Sequence, residues 1–564
     1  MRIAPGFERV GVACVATVVP SLLLVHALAS LLHFSPGISP GAFAVSISVI
    51  VTGAVHAFVQ WRFPRMPAWG WVVSSVVAAC AVHVTTGGFA GAVSVGICCA
   101  VQGYIQSRIS CALPSSIDGL TGRHHWRVAG WSLLAILAVV QTARLATHEA
   151  DPSEPWWVTS RNPAWAGHLC VSAYVYAADL HEQGETNIYA ADYPPADPSA
   201  ERHPTVENLN GHIDCSFQYP PPFLLLPWGA LQLTKDFYVM RPVWLAFIGL
   251  GYLALSVVLC LGVGGARGRL ALWLLPAVWV AVPTLQTHQF GQIQMLVFAL
   301  ALAGMFALGT RRTVLGGALL GVAVVTKIYP AVLLLLLGAE RRWRDLGVTV
   351  IWMVVFAALG FALLGPAPYH AFLTYQLRGL LDGSAFDYSS MEPVGQDTMT
   401  AIIVSVSTIP GRLGLLGVPH LPDELGPWLG RLLALVILGL IWRASRWTTG
   451  RANSVVLWIA LLNLVVLQGP VAFVDYTTAT SLWLLTFVGL EMGRNRVLAF
   501  GGWICWLLVG TLFGTWPIPD DPTGVWPDVA ISPAQIAAST LTMTLLLIPL
   551  NIWCAMSRFH DHPE

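Results

Sequence analysis

The sequence predicts an all-α protein that crosses a membrane many times, and three observations carry that prediction. Of 564 residues, 56% are hydrophobic and only 10% are charged, where a soluble domain is near a quarter charged. The mean hydropathy is +0.67, and apolar runs of about 20 residues, long enough to span a bilayer core as a helix, recur along nearly the whole chain. The polar gaps fall into two sets, one rich in arginine and one rich in acid, proline and aromatic residues, as expected of two membrane faces. The formal net charge is zero and no basic arm is present, so nothing points to nucleic acid.

The elements follow in order. Spans are expected near 10–33, 41–60, 69–86, 89–106 and 128–147, then at 241–263, 270–286 and 291–309. Further spans are expected at 346–365, 427–442, 453–472, 477–491, 497–514 and 533–555. The total is about 13–15 transmembrane helices. The first run, Val10 to Leu32, is too long for a signal-peptide core and lacks a small-residue cleavage site, so it reads as a retained helix. The gaps Trp61–Arg65, Arg123–Arg127, Arg267–Arg269, Arg311–Arg312, Arg341–Arg344, Arg443–Arg451 and Arg494–Arg496 are assigned to the cytoplasm by the positive-inside rule. The gaps His148–Pro222, Gly365–Asp397 and Trp516–Asp528 lie outside, and both termini lie inside. Three regions result: N-terminal membrane helices of unassigned role (1–147), an extracytoplasmic loop with a surface helix (148–222) and a membrane bundle (223–564).

One stretch does not fit a single crossing. In 313-TVLGGALLGVAVVTKIYPAVLLLLLGAERRWRD-345 both flanks, Arg311-Arg312 and Arg341 to Arg344, read as cytoplasmic. A lysine at the bilayer centre costs about 3 kcal/mol on insertion scales, and a proline inside a helix about as much again. The segment near 313–338 is therefore expected to enter, break at Lys327-Ile328-Tyr329-Pro330 and return. Non-helical backbone at that depth is tolerated only where protein or a watery cavity covers it. Lys327 then faces a polar space, where it suits an anionic group. A kinked single helix with a snorkelling lysine is the plainer alternative.

The outside loop holds 168-HLCVSAYVYAADLHEQGETNIYAADYPPADPSAERHPTVENLNGHIDCSFQYPPPFLLLPWGAL-231. Tyr174, Ala178 and His181 fall on helical spacing and Gly184 is a stop, so about 163–183 reads as a helix on the membrane surface. Of ten cysteines, most lie in apolar spans and Cys111 falls in a cytoplasmic gap. Only Cys170 and Cys215 share an outside loop, where an oxidising compartment would pair them. Such a disulfide closes a loop of about 45 residues, near 4 kcal/mol on chain-entropy estimates.

The order Tyr-Ala-Ala-x-Leu-x-x-x-Gly-x-x-x-x-Tyr from Tyr176 to Tyr189, then Tyr219-Pro220-Pro221, Gly291-Gln292-Ile293-Gln294 and Gly317 to Pro330, resembles glycosyltransferase family 87 over roughly 165–495. The resemblance implies a GT-C-type bundle with its site in the first large extracytoplasmic loop. It also implies a polyprenyl-phosphate sugar donor, and in several relatives mannose transfer to a lipid or glycan acceptor. Lys327 would stabilise charge on the departing phosphate; Tyr329, Gln292, Gln294 and His288 would serve the donor phosphate or sugar hydroxyls. Tyr176, Tyr219 and Asp475 would line the same cavity. One in-line displacement on a β-linked donor gives inversion.

The departure lies at the base. The family's aspartate stands about four residues before the tyrosine matching Tyr176, and here that position is Ser172, no base at neutral pH. Asp179, two helical turns on from Ser172, is the first substitute and Asp214 the second. Asp192, Asp197, Asp387, Glu392 and Asp397 are carboxylates of the outside loops with no pattern that singles them out. Two other classes stay open on the residues alone: a transporter or flippase, which leaves the carboxylate-rich loop unexplained, and a non-catalytic relative. No cofactor is indicated: His124 and His125 read as interfacial, no Cys/His set has ligand spacing, and a divalent metal stays undetermined. A bacterial plasma membrane is the expected location; sugar, acceptor and oligomeric state are not legible.

Overall fold

The computed structural model describes residues 7–31, 40–62, 95–102, 125–150, 169–189, 217–382, 395–419, 421–422, 424–447, 450–469, 472–492, 495–511 and 532–557. Among them the secondary structure is helical, with no strand beyond the single bridge Ile403–Phe473. The N-terminal helices are α1 (Phe7–Leu31), α2 (Pro40–Arg62) and α3 (His125–Ala150). The loop helix is α4 (Leu169–Glu182), followed by α5 (Leu225–Leu233), α6 (Phe237–Val263), α7 (Gly265–Val280) and α8 (Val282–Gln289). Next come α9 (Gln294–Gly309), α10 (Thr313–Thr326), α11 (Val332–Ala339) and α12 (Trp343–Leu364). The chain closes with α13 (Leu425–Trp447), α14 (Arg451–Gln468), α15 (Val474–Met492), α16 (Arg496–Thr511) and α17 (Pro533–Met556).

Within the described residues, α3, α6, α12, α13, α14 and α17 contain stretches long and apolar enough to cross a membrane, and α7 with α8 makes a seventh if that bent pair is one span. That last pair covers the span expected at 270–286 and bends by 60° at Ala281. The cause is Pro283 in the first turn of α8, which cannot donate to the preceding turn and crowds its carbonyl. Expected span 69–86 and most of 89–106 lie outside the described residues.

The segment that the arginines made ambiguous does enter and return. Helix α10 ends at Lys327, whose backbone is extended (φ −140, ψ 136), and a 3-10 turn at Tyr329–Ala331 starts α11. Pro330 sits in that first turn, where its missing N–H costs little. Direction follows from four glycines. A Cβ on Gly304 would lie 2.7 Å from Leu320 N, and one on Gly316 2.6 Å from Leu308 N, so α9 and α10 form an antiparallel hairpin with touching backbones. A Cβ on Gly317 would meet Val348, and one on Gly321 would meet Trp352. Four residues along α10 thus match four along α12 in the same sense, so these two helices run parallel. Their first residues, Thr313 and Trp343, stand at one level, and the chain between must come back. Both ends turn identically: Arg311 (φ 63) and Arg341 (φ 58) are left-handed, and Arg312 N and Arg342 N each bond the carbonyl five residues back at 2.9 Å. These are paired Schellman closures.

The N-terminal helices join the same bundle. α1 lies against α6, with Leu23 filling the space over Gly249. Trp131 Nε1 in α3 donates to the Trp273 carbonyl at 2.9 Å, and Trp279 Nε1 donates to Thr142 Oγ1 at 2.8 Å.

Two outcomes test this arrangement. Cysteines introduced at Thr310 and Glu340 should react with an impermeant maleimide from one and the same membrane face; labelling from opposite faces contradicts the return. Gly316→Val should lower the thermal midpoint of the detergent-solubilised protein by the equivalent of about 1–3 kcal/mol, as overpacking does. Gly347→Ala, with nothing within 4 Å of its Cβ, should leave it unchanged or slightly raised.

Candidate active site

Four separated stretches of sequence meet at the end of α10. The meeting starts from helix-end chemistry. The first N–H groups of a helix lack partners within it, and in α4 two of them, on Cys170 and Val171, donate to the Phe290 carbonyl at 3.0 and 3.3 Å. That carbonyl is available because the chain turns between α8 and α9 at Gly291, which is left-handed (φ 67). A Cβ there would sit 2.8 Å from Val171 Cβ, so glycine is needed for conformation and for space. Trp244 Nε1, from the start of α6, donates to the Gly291 carbonyl at 2.8 Å and fixes the turn from the other side.

The turn aims Gln292 inward. Its Oε1 accepts from Tyr174 OH at 2.9 Å and from Tyr219 OH at 2.6 Å, and the two phenol oxygens lie 2.7 Å apart. Its Nε2 donates to Cys170 Sγ at 3.3 Å. Tyr219 is positioned by the prolines after it, which start the 3-10 turn Pro221–Leu224, and by Tyr189 OH donating to its carbonyl at 2.9 Å. Burial drives the Tyr189 hydroxyl well above the usual phenol range, so it remains a donor. Phe223 stacks edge-on against Tyr174 at 4.9 Å and lies 4.6 Å from Tyr219. Lys327 Nζ stands 5.0 Å from the Tyr219 ring centroid, a cation–π distance.

The remaining predicted residues divide. Gln294 is the first residue of α9 and is buried, and Tyr329 packs half-buried on the core. His288 belongs to a different cluster: its Nδ1 meets the Thr284 carbonyl at 2.8 Å, and its ring lies between Tyr252 and Trp279. Asp475 is the second residue of α15, beside the Ile403–Phe473 bridge. Asp192, Asp197, Asp214, Cys215, Asp387 and Glu392 lie outside the described residues, so the Cys170–Cys215 pairing and the Asp214 assignment do as well. Asp397 is exposed. Among the described residues no group of three His, Cys, Asp or Glu side chains is placed to hold a metal.

Helix α4 itself differs from the expected surface helix. Ser172 is 0% exposed and Asp179 5%, because protein covers that side of the helix, while Tyr176, Leu180 and His181 are half-buried and Glu182 is exposed. At 100° per residue Asp179 and Ser172 lie within about 20° of each other, but about 140–160° round the axis from Tyr174. Asp179 accepts from Gln183 Nε2 at 2.6 Å, and the Ser172 hydroxyl has no partner among the described residues. Burial, with Asp179 and Glu185 nearby, raises the Tyr176 hydroxyl above its ordinary value. One flank of α4 therefore carries the tyrosine–glutamine cluster and another carries Ser172 and Asp179. The sequence does not single out Tyr174 or Trp244: Tyr174 shows only helical spacing, and Trp244 is one of 24 tryptophans.

Residues 217–470 match the model of a family described as Glycosyltransferase family 87. A polyprenol-phosphate-mannose-dependent alpha-(1-2)-phosphatidylinositol pentamannoside mannosyltransferase of Mycolicibacterium smegmatis is 25% identical over 331 residues, 52% of the chain and 75% of that protein. A protein of the same name from Mycobacterium tuberculosis is 32% identical over 157 residues, covering 26% of the chain and a third (33%) of that relative. No solved structure gives a significant match.

Gln292→Met keeps the volume and removes the shared acceptor, leaving two buried phenols to rearrange. It should cost about 1–3 kcal/mol, read as a lowered thermal midpoint. Gly291→Ala should cost at least as much, and an unchanged midpoint in both variants would show that this cluster does not hold α4.

Proposed function

We propose that this glycosyltransferase, a member of family 87 by its residues 217–470, moves a hexose, mannose, from a polyprenyl-phosphate donor to a glycan or lipid acceptor outside a bacterial plasma membrane. One observation carries the reading: the only charge in the apolar segment 313–339, Lys327, is delivered by a break in the helix to the Tyr219–Gln292 cluster. A polyprenyl tail stays in lipid while its phosphate sits at the interface. An ammonium at that depth, set over an aromatic face, is matched to such a phosphate. The likeness to two mannosyltransferases named for a polyprenol-phosphate-mannose donor supports the sugar and the carrier.

In the proposed reaction the acceptor hydroxyl oxygen bonds to the sugar anomeric carbon as that carbon's bond to the phosphate oxygen breaks. The acceptor proton passes to a carboxylate, and polyprenyl phosphate leaves with its charge facing Lys327. A single displacement inverts the anomeric centre. Tyr219 and Gln292 hold the floor under the phosphate, and Gln294 begins the helix beside it. For the base, Asp179 lies on the flank of α4 turned from Tyr219. Asp214 is five residues from Tyr219 in the sequence. We therefore rank Asp214 ahead of Asp179. The arginine turns lie on the cytoplasmic side in this reading, with both termini, and the site faces outward.

The purified protein fed labelled polyprenyl-phosphate mannose should transfer or release the label. Lys327→Ala should abolish turnover with the protein still folded, and Lys327→Arg should keep a fraction, since charge survives but shape does not. Full activity in the alanine variant removes the phosphate role. Asp214→Asn should lower the rate at least about 10²-fold; the same loss in Asp179→Asn instead returns the base to α4.

A further inference from the structure

The N-terminal helices have no part in the chemistry above, yet one buried contact links them to it. Glu149, next to last in α3, meets Arg241 in the first turns of α6, with Glu149 Oε2 3.1 Å from Arg241 Nε. Their side chains are 4% and 0% exposed. A pair this deeply buried is a poor source of stability, because desolvation offsets the attraction and apolar residues of the same size do as well. What such a pair supplies is a fixed register between two elements. Three residues after Arg241, Trp244 gives its indole N–H to the Gly291 carbonyl at 2.8 Å, and its ring lies 5.7 Å from Tyr174 and 6.4 Å from Phe223. Gly291 precedes Gln292, the acceptor of both phenols. The start of α6 is thus fixed to α3 on one side and to the glutamine turn on the other.

We infer that Glu149, Arg241 and Trp244 are positioning residues, through which the N-terminal helices hold the Gly291–Gln292 turn in the geometry that receives the donor. The inference rests on the reading above only for what that turn binds. They act through the placement of Gln292.

Two variants avoid leaving a lone buried charge. Trp244→Phe keeps an aromatic ring and loses the N–H. Glu149→Gln with Arg241→Gln removes both charges together. In each, hydrogen exchange across 286–294 should quicken about tenfold, the effect of losing one hydrogen bond. The Michaelis constant for polyprenyl-phosphate mannose should rise by a similar factor while that for the acceptor stays put. Loss of general stability would instead lower the thermal midpoint and weaken both substrates alike. Wild-type exchange at 286–294 in both variants overturns the inference. If the wild-type protein shows no turnover with that donor, the proposed function fails, while the exchange result still decides the coupling.

Discussion

Everything at the candidate site depends on a broken helix kept dry by glycine. An interrupted backbone inside an apolar bundle must be covered by protein, and here the cover is unusually close. Helix α10 lies between α9 and α12, with Gly304 and Gly316 on one side and Gly317 and Gly321 on the other. Side chains at those positions would push the helices apart and open the break to lipid. With them absent, dispersion contacts between backbones replace the hydrophobic effect that lipid cannot provide. The break then costs little, and its product is a lysine delivered to a fixed point beside Tyr219.

Around that point the chemistry is one of shared protons. Tyr174, Tyr219 and Gln292 make three short contacts, but two phenols supply only two protons, so one edge of the triangle always lacks one. Each phenol oxygen therefore keeps acceptor capacity. The cluster is anchored by main chain on all sides: Phe290 through α4, Gly291 through Trp244, and Tyr219 through Tyr189. Such anchoring suits a group whose task is placement.

Elsewhere the bundle uses buried polar pairs to fix helix register. Asn463 Nδ2 donates to Asn551 Oδ1 at 3.0 Å between α14 and α17. Arg267 reaches the Phe487 carbonyl and Glu491 at the other end of α15. Arg412, fully buried in the short helix Ile409–Leu415, donates to Thr544 and the Ser405 carbonyl at 2.8 Å each and so ties that helix to α17. Glu149 and Arg241 belong to this pattern, with the difference that their helix also touches the glutamine turn.

The sequence by itself determined what is local. Apolar length located the helices, and Lys327-Ile328-Tyr329-Pro330 located the break. The equal arginine flanks pointed to the return, because each of these signals lies within one or two turns of chain. Gly184 likewise ended α4 where expected, left-handed at φ 86. Only the tertiary structure decided which faces meet. The bonds that make the site join residues 45, 73 and 118 positions apart, and no periodicity reports on those. Thus Tyr174 emerged as a partner of Gln292, and His288 went to another aromatic cluster despite standing four residues away. Asp179, chosen for its spacing from Ser172, kept that spacing and lay on the other flank. Helical spacing fixes which residues share a face; what that face meets is set by packing between distant segments.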